Sequence, residues 1–487
     1  MTNRDTIAET ASAAQRLRQE IKRTRGLAQM SQPALAARIG YSRQYVSHAE
    51  RSGTLPSYDL IRAIDTALAT EGRLVTLWRE ADAQRRAVRA ARTVTPLVDD
   101  ALIGLVSSPP ISAASPALRT PPGRFFAGTS TPLLVLPGAD DRGRVLADPA
   151  TITTQTLAPN QRTLVVAAVD STDGPRFYGL DKRAARRRLT ESATGASLLI
   201  PRPYRLDEFT LAILWAVSNL DDALLDDDTE LTAAVDRLAG LEPIPRSTLS
   251  PEHAPELSPV SRMWLGSNFC ARHILRHRDQ LTETPQFWTR EQRGEEASTW
   301  LLFAHKYEYL ARLAETSDSR ISPPSRSFCI PTAAVSASWL PERILMLLAV
   351  ALIESVGIRV RVCVESEYSA IQGFVLDRSR RAIVANWVNT DRVWQVDVTD
   401  NRPTLREFSD ASAWADHHSI LTATTPHQRL RALADYLELT WPWLLDRAAG
   451  LADYGAAGLI KPRSRLLGLG GLDRACRFLA EARHHAR

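Results

Sequence analysis

Cysteine, methionine and long apolar runs are all scarce in this chain. The four cysteines, Cys270, Cys329, Cys363 and Cys476, lie far apart and form no CxxC pair. Four in so long a chain exclude a disulfide framework and point to a reducing compartment. The longest apolar run, around Ile344–Ile353, is about ten residues, too short to span a bilayer and suited to a buried helix. The opening MTNRDTIAETASAAQR has no apolar core of the kind a secretory signal needs. A cytoplasmic protein with no membrane partner is therefore expected. Lysine is rare beside arginine, which carries no mechanism.

What is present is unevenly placed. The formal charge is +5, but residues 1–92 hold sixteen Lys and Arg against nine Asp and Glu. The remainder is close to neutral. A basic module joined to a neutral body implies a polyanion partner for the module alone.

Periodicity divides the 487 residues into segments. Residues 12–92 read as a run of short helices. Residues 93–130 are rich in Pro, Ser and Ala, with Pro109–Pro110 and Pro121–Pro122, and read as a linker. Residues 131–315 begin with strand-like runs at Leu133–Leu136, Leu164–Val169 and Ser197–Ile200, then turn helical. Residues 325–425 mix a helix over 341–356 with strands near Arg359–Val364, Ile371–Leu376, Ala382–Trp387 and Arg392–Val398. Residues 426–487 are helical again. The fold class expected is multidomain: an N-terminal all-α domain, a Pro-rich linker, and a mixed α+β body with a large helical part.

The informative stretch is Met30–Arg51, MSQPALAARIGYSRQYVSHAER. Ser31 suits a helix N-cap, Pro33 the first turn, and Met30 with Leu35 a hydrophobic staple. Leu35, Ala36 and Ile39 share one face, and Gly40 follows where positive φ is needed. Ser42 caps a second helix, whose Val46 and Ala49 point inward. Arg43, Gln44, Ser47, His48 and Arg51 share the opposite face, and Arg and Gln there match guanine and adenine edges. Pro56–Ser57 opens a further helix with Leu60, Ile61, Ile64 and Leu68 inside, and Leu17 and Ile21 complete the core.

These features, with Leu17–Arg18, Ser31–Gln32, Leu35–Ala36, Gly40, Ser42, Ser47, Glu50 and Pro56–Ser57, resemble the Cro/repressor-type (XRE) helix-turn-helix family over about residues 12–80. The resemblance implies that the N-terminal all-α domain is a lambda-repressor-like helix-turn-helix domain, that its second helix enters the major groove, that Arg43, Gln44, Ser47 and His48 face bases, and that Gln32 faces a phosphate. The DNA-contacting set it implies is Gln32, Ser42, Arg43, Gln44, Tyr45, Ser47, His48 and Arg51. The stretch 203–315 is similar to the body of large actinobacterial regulators of the same family.

Three further patterns carry residue types suited to chemistry. The run Lys182–Arg188 reads as a solvated surface helix or as a second phosphate contact. Cys270, His273 and His277 fall on one side of a helix, with His305 as a conceivable fourth metal ligand, though zinc sites usually draw ligands from two elements. Residues 341–398 resemble transglutaminase-like cysteine hydrolases, with Asp397 at the acid position. The nucleophile slot falls at Glu342 and the histidine slot at Ala385, while Cys329 lies upstream and Cys363 on the strand beyond. Without a thiolate and its base no acyl transfer is possible, so a degenerate fold and no catalytic residues are expected. The reading that follows is a sequence-specific transcription regulator binding double-stranded DNA as a homodimer, with a sensing or dimerising body open to a small-molecule or protein effector. No cofactor and no metal are expected. The alternatives are a DNA-binding domain fused to a hydrolase-like enzyme, or a plasmid or phage maintenance protein.

Overall fold

The computed structural model describes residues 13–41, 43–51, 55–81, 116–141, 144–148, 162–172, 174–191, 197–241, 243–249, 256–281, 284–315, 323–377, 380–388 and 394–485. Two bodies with separate cores emerge, a small helical one and a large mixed one.

The small body comprises α1 (Ala13–Leu27), α2 (Gln32–Ile39), α3 (Arg43–Arg51), α4 (Tyr58–Ala67) and α5 (residues 73–81). Local chemistry sets its joints. Ser31 caps α2 by accepting from the Ala34 amide, and Gly40 ends it at φ 74°. That left-handed residue lets α3 start within a few residues, where a side chain would cost energy. Ser57 caps α4 through the Leu60 amide. Leu17, Ile21, Leu35, Val46, Ala49, Leu60, Ile61 and Ile64 are fully buried together, as the apolar spacing requires. The Asp65 carboxylate holds the α4–α5 turn, accepting from Thr70 Oγ1 at 2.6 Å, Gly72 N at 2.8 Å and Leu74 N at 2.9 Å.

The large body begins at residue 116, earlier than expected. Strand β1 (Ala117–Thr120) pairs with β2 (Thr129–Asp141) in a six-stranded sheet completed by β3 (Arg144–Ala147), β4 (Leu164–Val169), β5 (Arg176–Asp181) and β6 (Leu198–Pro201). The Glu295 carboxylate accepts from the amides of Arg124 and Phe125, at 3.0 and 2.9 Å. The expected linker therefore does not extend to 130; its remaining part, 93–115, lies outside the described residues. The basic run forms α6 (Lys182–Glu191), whose Lys182 and Ala185 are buried.

Helices α7 (Glu208–Asp226) and α8 (Asp228–Ala239) lead to strand β7 (Ser247–Leu249), α9 (Pro259–His277), β8 (Gln286–Thr289), α10 (Gly294–Leu302), α11 (Ala304–Glu315) and β9 (Ser325–Cys329). Then follow α12 (Thr332–Ala337), α13 (Leu340–Ser355), β10 (Arg359–Cys363), a 3-10 turn (Ser366–Ala370), β11 (Phe374–Asp377), β12 (Arg381–Asn386), β13 (Trp394–Thr399) and α14 (Arg402–His418). The seven-stranded sheet runs β10-β9-β8-β11-β12-β13-β7, with β10, β9 and β8 parallel and the other pairs antiparallel. The expected boundary between 315 and 325 is thus overturned: β7 and β8 precede it in sequence yet hydrogen-bond into the sheet that follows it.

Helix α13 is apolar all round and is buried throughout its middle, the signature of a core helix. It packs against α7, α10 and the C-terminal helix α17 (Gly470–His485), which follows α15 (Pro426–Tyr436) and α16 (Trp441–Tyr454). The tail is therefore no separate unit. Arg429 on α15 donates to Glu354 through Nε at 2.8 Å and a terminal nitrogen at 2.6 Å, both groups buried. Asp221 on α7 accepts from Arg463 and Ser464 amides at 2.8 and 2.7 Å. No helix is long and apolar enough to cross a membrane among the described residues.

Candidate nucleic-acid interface

Helix α3 is held by α1 and α2 through apolar contacts and one charged knot. Arg25 on α1 donates to both oxygens of Glu50, at 2.5 and 3.0 Å, and to the Met30 carbonyl at 2.7 Å. Gln32 at the start of α2 donates to the same carboxylate at 2.7 Å. Glu50 is buried, so these three donors are what make its charge tolerable there. Gln32, expected to face a phosphate, is half-buried, and its side-chain amide is engaged with Glu50.

The outer face of α3 carries exposed Arg43 and Arg51, with Ser47 and His48 half-buried. Ser42 lies outside the described residues, as does the side chain of Gln44. Burial lowers the His48 pKa, because it penalises the charged ring. Tyr45 does not point to open solvent. Its ring lies 5.2 Å from that of Tyr368 in the 3-10 turn of the large body and meets Tyr41 edge-on at 5.9 Å. Tyr368 stacks in turn on Trp414 of α14, at 5.2 Å and 14°. Burial and the Tyr368 neighbourhood push the Tyr45 hydroxyl pKa up. Beside it, the Ser57 hydroxyl donates to Glu367, so the cap of α4 also touches the body. Burial raises the Glu367 pKa, opposed by the Ser57 bond. Tyr45, expected at the DNA, is thus covered by the body in this arrangement. Glycine and proline cues had no bearing on this contact, and a lone Tyr in a turn offered no signal for it.

The other constellations are dispersed. Among the described residues no three His, Cys, Asp or Glu side chains stand close enough to hold a metal ion. His273 and His277 lie ring to ring at 4.6 Å and are both buried, while His305 bonds Ser267 at 2.8 Å. Asp397 stands opposite Val384 on β12, and Ala385 stands opposite Val396. Alternate residues face opposite sides of a sheet, so the Ala385 and Asp397 side chains project from opposite faces. Asp397 therefore does not fit the acid position beside that slot. Glu342 packs on Gly294 near Glu295 and Glu296, and burial lifts its pKa to about 7. All four cysteines are buried and unpaired. Burial raises the thiol pKa of Cys270, Cys329 and Cys476.

A family model described as a helix-turn-helix domain matches residues 16–78, the span of α1 to α5. No curated protein and no solved structure matches the chain. Residues 16–78 are accordingly a helix-turn-helix DNA-binding domain joined to a mixed α/β body.

Proposed function

We propose that this chain is a sequence-specific transcription regulator of the Cro/repressor type, in which α3 reads the major groove and the body controls access to it. The observation that supports this reading is the outer face of α3. Arg43 and Arg51 stand exposed on a helix whose inner face is buried and which follows the capped α2 and its Gly40 turn. Arg43 opens the helix, where recognition helices usually reach bases, and its planar fork matches a guanine edge. The large body meets α3 from one flank through Tyr368 and the cap of α4 through Glu367. DNA and the body then compete for part of one surface, which gives an effector or a second subunit a means of regulation. The body supplies no cysteine-hydrolase chemistry in this reading, since its thiols are buried, Glu342 stands in the nucleophile slot and Ala385 in the histidine slot.

The test is a selection on randomised duplexes with full-length protein and its Arg43→Ala variant. Arg43→Ala should weaken binding by about 1–3 kcal/mol and relax preference at one base position. An unchanged preferred sequence would remove α3 as the reading helix. A symmetric selected site, with halves about one helical turn apart, is the outcome a homodimer requires.

A further inference from the structure

A cavity of about 60 Å3 lies against the seven-stranded sheet, partly open to solvent. Its walls include Phe287, Trp300, Lys306, Arg326, Asn386 and Trp387. Lys306 and Arg326 are both buried, at 3% and 4% exposure. Lys306 donates to Glu291 at 3.0 Å and to Thr299 at 2.7 Å, with its ammonium 4.1 and 4.2 Å from the centroids of Trp300 and Trp387. Its charge is therefore matched by one carboxylate, itself buried. Arg326 has no such match among the described residues. It donates to two neutral oxygens, Thr289 Oγ1 at 2.8 Å and the Tyr309 hydroxyl at 3.4 Å, and lies over the rings of Phe287 and Trp300 at 4.5 and 4.7 Å. One buried positive charge is thus left over, a state costing several kcal/mol unless an anion meets it.

The hydrogen-bonding groups on the wall have the same bias. Arg326 Nε, Trp300 Nε1 and Asn386 Nδ2 find no acceptor among the described residues. The Asn386 oxygen is taken by the Gly373 amide at 2.6 Å. Three orphan donors beside a surplus positive charge call for a ligand that only accepts. The aromatic walls favour one that is apolar on its other side. A water-sized occupant needs about 10–15 Å3, so the cavity admits about four to six heavy atoms.

We propose that this cavity binds a small organic monocarboxylate, of the size of acetate or propionate, with its carboxylate on Arg326 and its carbon end against Trp300 and Trp387. The Arg326 guanidinium, met by no carboxylate among the described residues, matches a carboxylate ligand. Arg offers the forked geometry that a carboxylate accepts. Binding here is independent of what residues 13–81 do, and its test does not read DNA.

The experiment is calorimetric and fluorescence titration of the full chain with acetate, propionate, benzoate and inorganic phosphate at constant ionic strength. Acetate and propionate should bind saturably and change tryptophan emission, with benzoate excluded by size. Arg326→Gln should weaken acetate binding at least tenfold. Asn386→Asp keeps the acceptor for Gly373 and places a carboxylate in the cavity. It should abolish the acetate response while melting no lower than the parent protein. Absence of carboxylate binding by the parent protein would overturn the proposal, as would binding by phosphate in preference to acetate. So would an acetate response undiminished in Asn386→Asp, a variant whose fold can be checked independently of Arg326→Gln.

Discussion

Replacing Glu50 puts a number on the charged knot that positions α3. The side chain is 2% exposed and its partner Arg25 is 16% exposed, so the pair behaves as a buried one. Glu50→Ala removes the acceptor of three bonds: two from Arg25 and one from Gln32. Breaking a buried pair by deleting one partner costs about 3–5 kcal/mol, mostly because the surviving charge stays desolvated. Arg25 retains its bond to the Met30 carbonyl, which places the expected loss at about 3 kcal/mol, the lower end. Against a domain stability of about 5–15 kcal/mol, that is a large share. Glu50→Gln keeps one neutral acceptor and should cost about 2 kcal/mol. Combining Arg25→Met with Glu50→Leu should recover much of the loss, since no uncompensated charge remains. Native-state hydrogen exchange of α1 and α3 amides is the assay, because it reports opening of this domain separately from the large body. A loss under about 1 kcal/mol in Glu50→Ala, or a double variant as weak as the single one, would refute the assignment of this carboxylate as the anchor of α3.

Tyr368→Ala removes the ring against which Tyr45 rests. An aromatic contact of this kind is worth about 0.5–1.5 kcal/mol, so full-length protein should bind its DNA site several-fold more tightly in an electrophoretic mobility assay. Unchanged or weaker binding would mean that the body does not compete for α3. Asp65 gives a pH dependence. Burial raises its pKa, but the Thr70, Gly72 and Leu74 bonds outweigh that and hold it below the ordinary carboxylate value. A depressed folded pKa contributes stability above the unfolded value near ~3.9, and that stability is lost as pH falls through the folded value. The small domain should loosen in that acid window, read by hydrogen exchange, and Asp65→Asn should flatten the slope. Finally, the four buried cysteines should resist a thiol reagent in the native protein and react together on unfolding. Rapid stoichiometric labelling of Cys329 or Cys363 alone would reopen a nucleophilic role for that segment.

The parts legible in the sequence are those set by neighbours along the chain. The Ser31 cap, the Gly40 turn, the inward Val46 and Ala49 and the exposed Arg43 follow from backbone satisfaction and helical period within twenty-odd residues. The core helix α13 was visible because an all-apolar run of that length has few other uses. Other features are decided by tertiary structure alone. Strands β7 and β8 join a sheet whose other members come dozens of residues later, and strand pairing at that distance leaves no local mark. Gln32 meets Glu50, and Tyr45 meets Tyr368, only because packing brings separate elements together. The Arg326 cavity likewise draws Lys306 from α11, Arg326 from β9 and Asn386 from β12. Each of these residues taken alone reads in the sequence as an ordinary side chain facing water. Their chemistry arises from mutual burial, which raises the cost of an unmatched charge and exists only once the chain has closed around it.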